Sequence, residues 1–342
     1  MKRKKLIPIF LLITSAMYAG SSALRPVEMT ISPSEIAKAA QQIRLSPTAE
    51  EQADADAVSL YEKAIKSLPA DFQSKQFSDW RSLSPEQLPV EQVESALKKL
   101  KPTLDLLTQA TRSKQCNWPF IKPEQARQQM MDDLSKYRQL AFVLDVQAKL
   151  QIAQGQYDKA SQTIKTGLTM AKHLGDAPTL VQGMVGIAIA ALNISRVEQW
   201  VQTDNAPNLY RALGDIGRPV VDVTKAIKIE TDNLKNYNAL LRSQFEKQLK
   251  PAHDRVLMQM NHVERKTSAL QCIEALRLYA GLHDGKFPDK LSDITEVSVP
   301  VDPVTKKPFS FTRTGSRAVL EVTGAEGSDG RDAVRYELNL KK

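Results

Sequence analysis

Residues 134–171 read LSKYRQLAFVLDVQAKLQIAQGQYDKASQTIKTGLTMA, and this stretch decides the fold class. Up to Gly155 an apolar residue returns every three or four positions, which is the spacing of one face of an α-helix. The same spacing resumes after the segment GQYDKA, residues 155–160, and continues to Ala171. Glycine permits a tight turn between two such segments. The stretch therefore predicts a helical hairpin.

Helical composition extends from about residue 31 to residue 281, where alanine, leucine, glutamine, lysine and glutamate dominate and glycines are few. Residues 55–68 carry one apolar face and predict a helix. Residues 185–192 are apolar nearly all round, which favours a helix in the centre of the domain. We expect a further helix over residues 218–250 and a last one that begins at Pro251.

The last 40 residues have the pattern of strands. Phe309, Phe311 and Arg313 precede a Gly-Ser turn, and an alternating segment, residues 317–322, follows it. Residues 334–340 alternate apolar and polar side chains, as a strand with one buried face does. The prediction is a mainly α protein, a bundle of helical hairpins followed by a small α+β tail with a three-stranded antiparallel sheet.

The N-terminus has the pattern of a secretory signal peptide. It begins MKRKK, continues with an apolar segment, residues 6–20, and places Ser21 and Ala23 at the −3 and −1 positions of a cleavage site. We expect cleavage after Ala23 and export to the periplasm or the extracellular space, with no stable membrane insertion afterwards. The alternative is an N-terminal anchor that is not cleaved. The predicted organisation is a signal peptide (1–23), a helical domain (24–250) and a long helix with a small sheet (251–342).

Charge and cysteine content narrow the function classes. The net charge of +8 includes four positive residues of the signal peptide, so about +4 remains after cleavage. A charge this small over the mature chain does not indicate a nucleic-acid-binding protein. The two cysteines, Cys116 and Cys272, are candidates for a disulfide in an oxidising compartment. The alternative is that both are buried thiols.

Parts of the helical region resemble known families. The segment GQYDKA is similar to the turn between the helices of tetratricopeptide repeats, and residues 61–69, YEKAIKSLP, echo it more faintly. An irregular bundle with one helical hairpin is the alternative. Residues 175–192 and 206–222 resemble exported bacterial proteins of uncharacterised activity that combine helical repeats with a tail like this one.

The tail resembles the globular end of the major pseudopilins of type II secretion. The matching residues span about 70 positions and are Leu276, Tyr279, Gly285, Pro288, Leu291, Asp302, Pro303, Pro308 and Phe309. The glycine and Phe-Thr-x-x-Glu pattern of pilin leaders is missing, so the chain is not expected to be a pilin itself. The resemblance implies a calcium site at Glu326, Asp329 and Asp332, since such loops offer several oxygen ligands. The alternative is a polar connection between two strands.

No pattern of catalytic residues accompanies these features. The four histidines have no zinc-protease spacing, and the sequence has neither a nucleophile elbow nor a phosphate-binding loop. The sequence therefore favours an exported, non-catalytic helical protein that binds a protein or peptide partner in the cell envelope, with no cofactor other than the candidate calcium. The alternative is an envelope hydrolase whose site combines distant residues. The oligomeric state stays open.

Overall fold

A computed structural model of the chain describes residues 26–35, 42–119, 123–324 and 330–341, without the side chains of residues 123–133. The described residues are mainly helical, as the sequence predicts. Their ten helices are α1 (Ala57–Lys66), α2 (Ser74–Ser82), α3 (Val90–Lys99), α4 (Lys101–Ala110), α5 (Pro123–Ala153), α6 (Tyr157–Gly175), α7 (Leu180–Gln202), α8 (Tyr210–Gly214), α9 (Thr224–Asn233) and α10 (Ala239–Leu282).

The predicted helical hairpin is formed by α5 and α6. Gly155 lies between them with a φ of +67°, a conformation that side chains disfavour, so glycine suits this turn. Tyr157, the first residue of α6, packs its ring against Trp200 of α7 at 4.9 Å between centroids. The turn therefore also fixes the position of a third helix.

Helix α7 lies at the centre of the helical region and packs against α5, α6 and α10. Gly186 permits close approach to α6, since a Cβ at this position would lie 2.6 Å from the carbonyl oxygen of Ala171. Burial is incomplete, because Ala188 and Ala191 are exposed. Among the described residues, α7 is the one helix long and apolar enough to cross a membrane by length and composition, yet half of its most apolar window is buried, as in a core helix.

Two β-sheets accompany the helices. The larger one contains β1 (Val27–Ile31), β4 (Ser310–Thr314), β5 (Arg317–Val322) and β6 (Val334–Leu340) in the order β1-β6-β5-β4. A short parallel pair consists of β2 (Ala53–Asp56) and β3 (Ser113–Gln115). The three C-terminal strands are antiparallel, as predicted.

The prediction of a three-stranded antiparallel sheet is wrong, because β1 adds a fourth strand parallel to β6. Met29 lies opposite Leu338 and Ile31 opposite Leu340, and both β1 side chains are buried. The segment VEMTI alternates apolar and polar residues, so it suits an edge with one buried face. The domain boundaries stay a prediction, although β1 comes from the stretch assigned to the helical domain.

The prediction of a last helix that begins at Pro251 is also wrong. Helix α10 runs for 44 residues and contains Pro251 in its interior. Its N-terminus is capped by Asn238, whose side chain accepts a hydrogen bond from the amide of Leu241. Up to Lys250 most of the helix is exposed, and from Ala252 onward one face enters the core.

Buried ion pairs hold α10 against the rest of the protein. Arg265 pairs with Asp302 at 3.0 Å and with Asp332 at 2.7 Å, and all three side chains are fully buried. A second buried pair, Arg277 with Glu274 at 3.0 Å, lies within α10 itself. A partnered buried charge is costly to separate, so the pairs of Arg265 fix the loops around residues 302 and 332 on the helix.

Candidate functional site

A groove of about 830 Å³ opens beside β4. One wall is an irregular stretch, residues 295–301, which bends at Glu296 and Val297 and is called the groove segment below. The start of β4 forms another wall. The apolar residues that line the groove are Leu291, Ile294, Val297, Val299, Pro300, Val301, Pro308, Phe309 and Phe311. The polar residues of the lining are Lys290, Ser292, Thr295, Glu296 and Ser298. The groove is thus an apolar site with a few polar groups.

The two walls meet at one end of the groove. Val301 and Pro308 form an antiparallel bridge. Next to it, the amide of Asp302 donates to the carbonyl oxygen of Lys307 at 2.9 Å. The groove segment and β4 are therefore the two arms of a hairpin that is paired at its turn.

Beyond this bridge the hairpin is open. Continued pairing in the same register would place Ser298 opposite Phe311. Instead, the carbonyl oxygen of Ser298 accepts a hydrogen bond from the hydroxyl of Tyr210. Pro300, between the bridge and Ser298, has no amide hydrogen to give to a ladder. Both features favour separation of the arms.

The outer edge of β4 consequently keeps backbone groups without a neighbouring strand. The turn Gly315-Ser316 makes Thr314 and Arg317 a closing pair. Amide and carbonyl groups alternate along an antiparallel strand, so those of Phe311 and Arg313 point away from β5. Within the described ranges no strand pairs with this edge beyond Pro308.

The floor of the groove is well packed. Phe309, Leu291 and Ile294 are buried, and the ring of Phe311 contacts Phe287 edge-on at 6.2 Å between centroids. The groove segment itself is less covered, and Val301 is 42% exposed. The site therefore combines a fixed floor with an accessible wall.

Charged residues lie around the groove. Nε2 of His283 lies 2.8 Å from a carboxylate oxygen of Glu296, and this hydrogen bond holds the pKa of Glu296 below its usual range. The ring of His283 also stacks on Tyr279 at 3.9 Å between centroids. Arg313 pairs with Asp289 at the far end of β4. These contacts attach the groove segment and β4 to neighbouring parts of the chain.

Cys116 and Cys272 are both free in the structure, so no disulfide joins them. Sγ of Cys116 lies 4.0 Å from the carbonyl oxygen of His173, and burial together with nearby Asp56 raises the pKa of its thiol. Cys272 is fully buried in α10, and burial raises the pKa of its thiol to about 12. Neither thiol is activated as a nucleophile, because the thiolate is the reactive form.

Of the three predicted calcium ligands, the structure describes one. Asp332 is fully buried and pairs with Arg265, while Glu326 and Asp329 lie outside the described residues. Within those described ranges, no group of three or more histidine, cysteine, aspartate or glutamate residues is arranged to hold a metal ion. The calcium site stays a prediction that involves residues beyond the described part.

The four histidines lie in separate places. Nδ1 of His173 lies 2.8 Å from the hydroxyl of Tyr61, and burial lowers its pKa to about 4. His253 bonds to Glu230 on α9. Burial also lowers the pKa of His262 on α10, and His283 is bonded at the rim of the groove. The structure thus does not bring the histidines together.

A further ionic cluster joins α2, α5 and α7. Asp145 is buried between Arg196 at 3.1 Å and Arg81 at 3.4 Å, and burial raises the pKa of its carboxyl group. Nζ of Lys149 donates to three backbone carbonyl oxygens, which include those of Arg81 and Leu83 at 2.6 Å. These contacts satisfy the C-terminal carbonyl groups of α2, so the cluster attaches that helix to the bundle.

The sequence did not identify the groove. Its alternation of valines at positions 297, 299 and 301 is a local sign of an extended strand. The contribution of Tyr210, which lies 88 residues away from Ser298, has no local sign. Comparison with known protein families, with curated proteins and with solved structures finds no match to this chain.

Proposed function

We propose that this protein is an exported, non-catalytic interaction protein of the cell envelope that binds an extended segment of a partner protein in the groove beside β4. The observation that carries the proposal is the open hairpin. Its two arms separate around an apolar floor, and among the described residues no strand neighbours the outer backbone groups of β4. Extended peptides commonly bind at such edges, through backbone hydrogen bonds and side-chain pockets.

The chemistry of the lining supports binding over hydrolysis. Lys290 and Glu296 are its charged residues, and Glu296 is already bonded to His283. A hydrolase would need a nucleophile and a base within hydrogen-bond reach of each other. In the described part of the chain the thiols have raised pKa values, and the groove offers no such pair. The alternative of an envelope hydrolase therefore has no specific observation in its favour.

Export rests on the signal-peptide pattern of residues 1–23, which lie outside the described part of the chain. The resemblances to exported bacterial proteins and to pseudopilin tails support the same location, because both belong to proteins that act outside the cytoplasm. They add no catalytic role. The partner is accordingly a protein of the envelope rather than a cytoplasmic metabolite.

Site-specific photocrosslinking tests the proposal. A photoreactive amino acid replaces Val299 on the groove segment, or Val319 on the opposite face of the same sheet as the matched control. We expect one defined adduct from position 299 in intact cells, with the cross-linked partner peptide identified by mass spectrometry, and no such adduct from position 319. Equal adducts at both positions, or none at position 299, would refute the proposal.

A further inference from the structure

We propose that the partner segment adds as a further β-strand to the outer edge of β4, with apolar side chains at alternate positions and a carboxylate beside the turn at residues 302–307. This inference rests on the proposed function, because it names the kind of segment that the same groove accepts. Backbone geometry, side-chain alternation and charge each support a part of it.

The outer edge of β4 offers backbone hydrogen-bonding groups to a partner strand. The outward amide and carbonyl groups of Phe311 and Arg313 have no partner strand among the described residues. The nearest candidate, the groove segment, is held away because the Ser298 carbonyl oxygen accepts from Tyr210. An added strand would satisfy these groups at the spacing of an ordinary ladder. The bound segment must therefore be extended.

Side chains at this edge alternate between the groove and the other face of the sheet. Along β4, Phe309 and Phe311 lie on the groove side, while Ser310 and Thr312 are exposed on the other face. Neighbouring strands share faces, so alternate side chains of an added strand would lie over the apolar floor and the rest would face water. Val297 and Val299 of the groove segment would contact the inward side chains. The segment must therefore alternate apolar and polar residues.

Two lysines lie at the closed end of the groove. Lys306 and Lys307 lie in the turn that precedes Pro308, and both are exposed. Within the described ranges neither has an acidic side chain at ion-pair distance, whereas Lys290 at the rim lies 3.9 Å from Asp293. A carboxylate of the partner beside this turn would complement the two lysines, and such pairs favour correct register and fast association.

Fluorescence anisotropy with defined peptides tests the inference on the mature protein. The probe is a labelled heptapeptide, Glu-Val-Thr-Val-Thr-Val-Glu, with blocked termini. Two isomeric analogues each carry two backbone N-methyl groups, either on the first two valines or on both threonines. Only one of these sets can donate to β4, so we expect one isomer to bind at least about fivefold more weakly and the other within about twofold of the parent. Equal binding of both isomers overturns strand addition.

Charge reversal tests the proposed preference for a carboxylate beside the turn at residues 302–307. The double substitution Lys306→Glu and Lys307→Glu should weaken the glutamate-ended probe by about fivefold at low salt and strengthen a lysine-ended probe. If both probes respond alike, the preference for a carboxylate is refuted.

Protein variants separate this inference from the proposed function. Val299→Asp should abolish binding of the parent probe, whereas Val319→Asp, on the other face of the sheet, should retain it. If Val299→Asp abolishes binding but the N-methyl isomers bind equally, the groove remains the site and strand addition fails. If Val299→Asp and Val319→Asp bind alike, the proposed function fails as well. No binding of the parent probe at about 1 mM refutes the inference, and photocrosslinking then decides on the groove alone.

Discussion

The buried His173 makes the stability of this protein dependent on pH. Its pKa is lowered from 6.5 to about 4, chiefly by burial, with a smaller effect of Lys172. As the pH falls, the unfolded chain is therefore protonated at this residue near pH 6.5, whereas the folded protein is protonated there only near pH 4. Stability due to this group is complete above pH 6.5, declines as the pH falls, and is lost below pH 4.

The magnitude follows from the size of the shift. A difference of about 2.5 pH units corresponds to about 3.4 kcal/mol of unfolding free energy when the pH lies below both pKa values. At pH 5 most unfolded chains are protonated at this residue and most folded ones are not, which amounts to about 2 kcal/mol. His173→Gln cannot take up this proton. Wild type should therefore lose about 2 kcal/mol more than this variant between pH 7.5 and pH 5.

Urea unfolding, followed by circular dichroism at a series of pH values, measures the difference. The slope of unfolding free energy against pH is compared between the two proteins, so a constant cost of the substitution cancels. Other titrating groups contribute to the slope of both proteins. Tyr61→Phe is the matched control, since it removes the hydrogen bond to the ring but keeps the ring buried. It should retain most of the pH dependence. Parallel curves for wild type and His173→Gln would show that burial does not set the pKa of this ring.

Four further substitutions test the fold and the groove, and Gly217→Ala among them is the control for Gly281→Ala. Arg265→Met leaves two buried carboxylates without their cation and should cost about 3–5 kcal/mol in urea unfolding, while a loss below about 1 kcal/mol would contradict the burial of the network. Gly281→Ala places a Cβ 2.2 Å from a backbone oxygen of the N-terminal segment and should lower the unfolding free energy by about 1–3 kcal/mol. Gly217→Ala meets its nearest atom at 3.6 Å and should change it by less than about 0.5 kcal/mol, so equal effects of the two would argue against that close contact. Tyr210→Phe removes the hydrogen bond that holds the carbonyl oxygen of Ser298 away from β4, so the groove segment should pair with β4 more often. The amide of Phe311 should then exchange its hydrogen more slowly, as measured by NMR. Unchanged exchange would refute this reason for the opening.

Local patterns predicted the elements that depend on nearby residues. The hairpin of α5 and α6 and the three C-terminal strands follow from spacing and turn residues, and the structure forms them. The prediction of a helix start at Pro251 was wrong because α10 continues through the proline with one hydrogen bond missing. The cap at Asn238 and the packing of the helix beyond residue 251 support it. Strand β1 was missed since its partner, β6, lies about 300 residues away in the chain. Pairing over such a distance has no local sign.

The candidate site illustrates the same limit. Its floor could be anticipated, because Phe309 and Leu291 belong to the apolar pattern of the tail. Its opening could not, since it depends on Tyr210, a residue of a different helix. The buried arginines were missed for a related reason. Arg265 and Arg277 look like the polar face of a helix in the sequence, and only the folded chain supplies the distant groups that permit their burial. These are the carboxylates of Asp302 and Asp332 for Arg265, and backbone carbonyl oxygens of Ser32 and Ala206 for Arg277.

The contacts of the groove segment also indicate why the groove would persist in the unbound protein. An apolar hairpin that opened freely would close on itself, since pairing of its arms would satisfy the backbone of both. Here one arm is held by Tyr210 at Ser298 and by His283 at Glu296, and Pro300 weakens the ladder that would close it. The other arm is fixed by pairing with β5. A partner strand would then meet an edge that is already formed, and little conformational entropy would be lost by the protein on binding. These contacts make Tyr210 the residue on which the proposed function most directly depends.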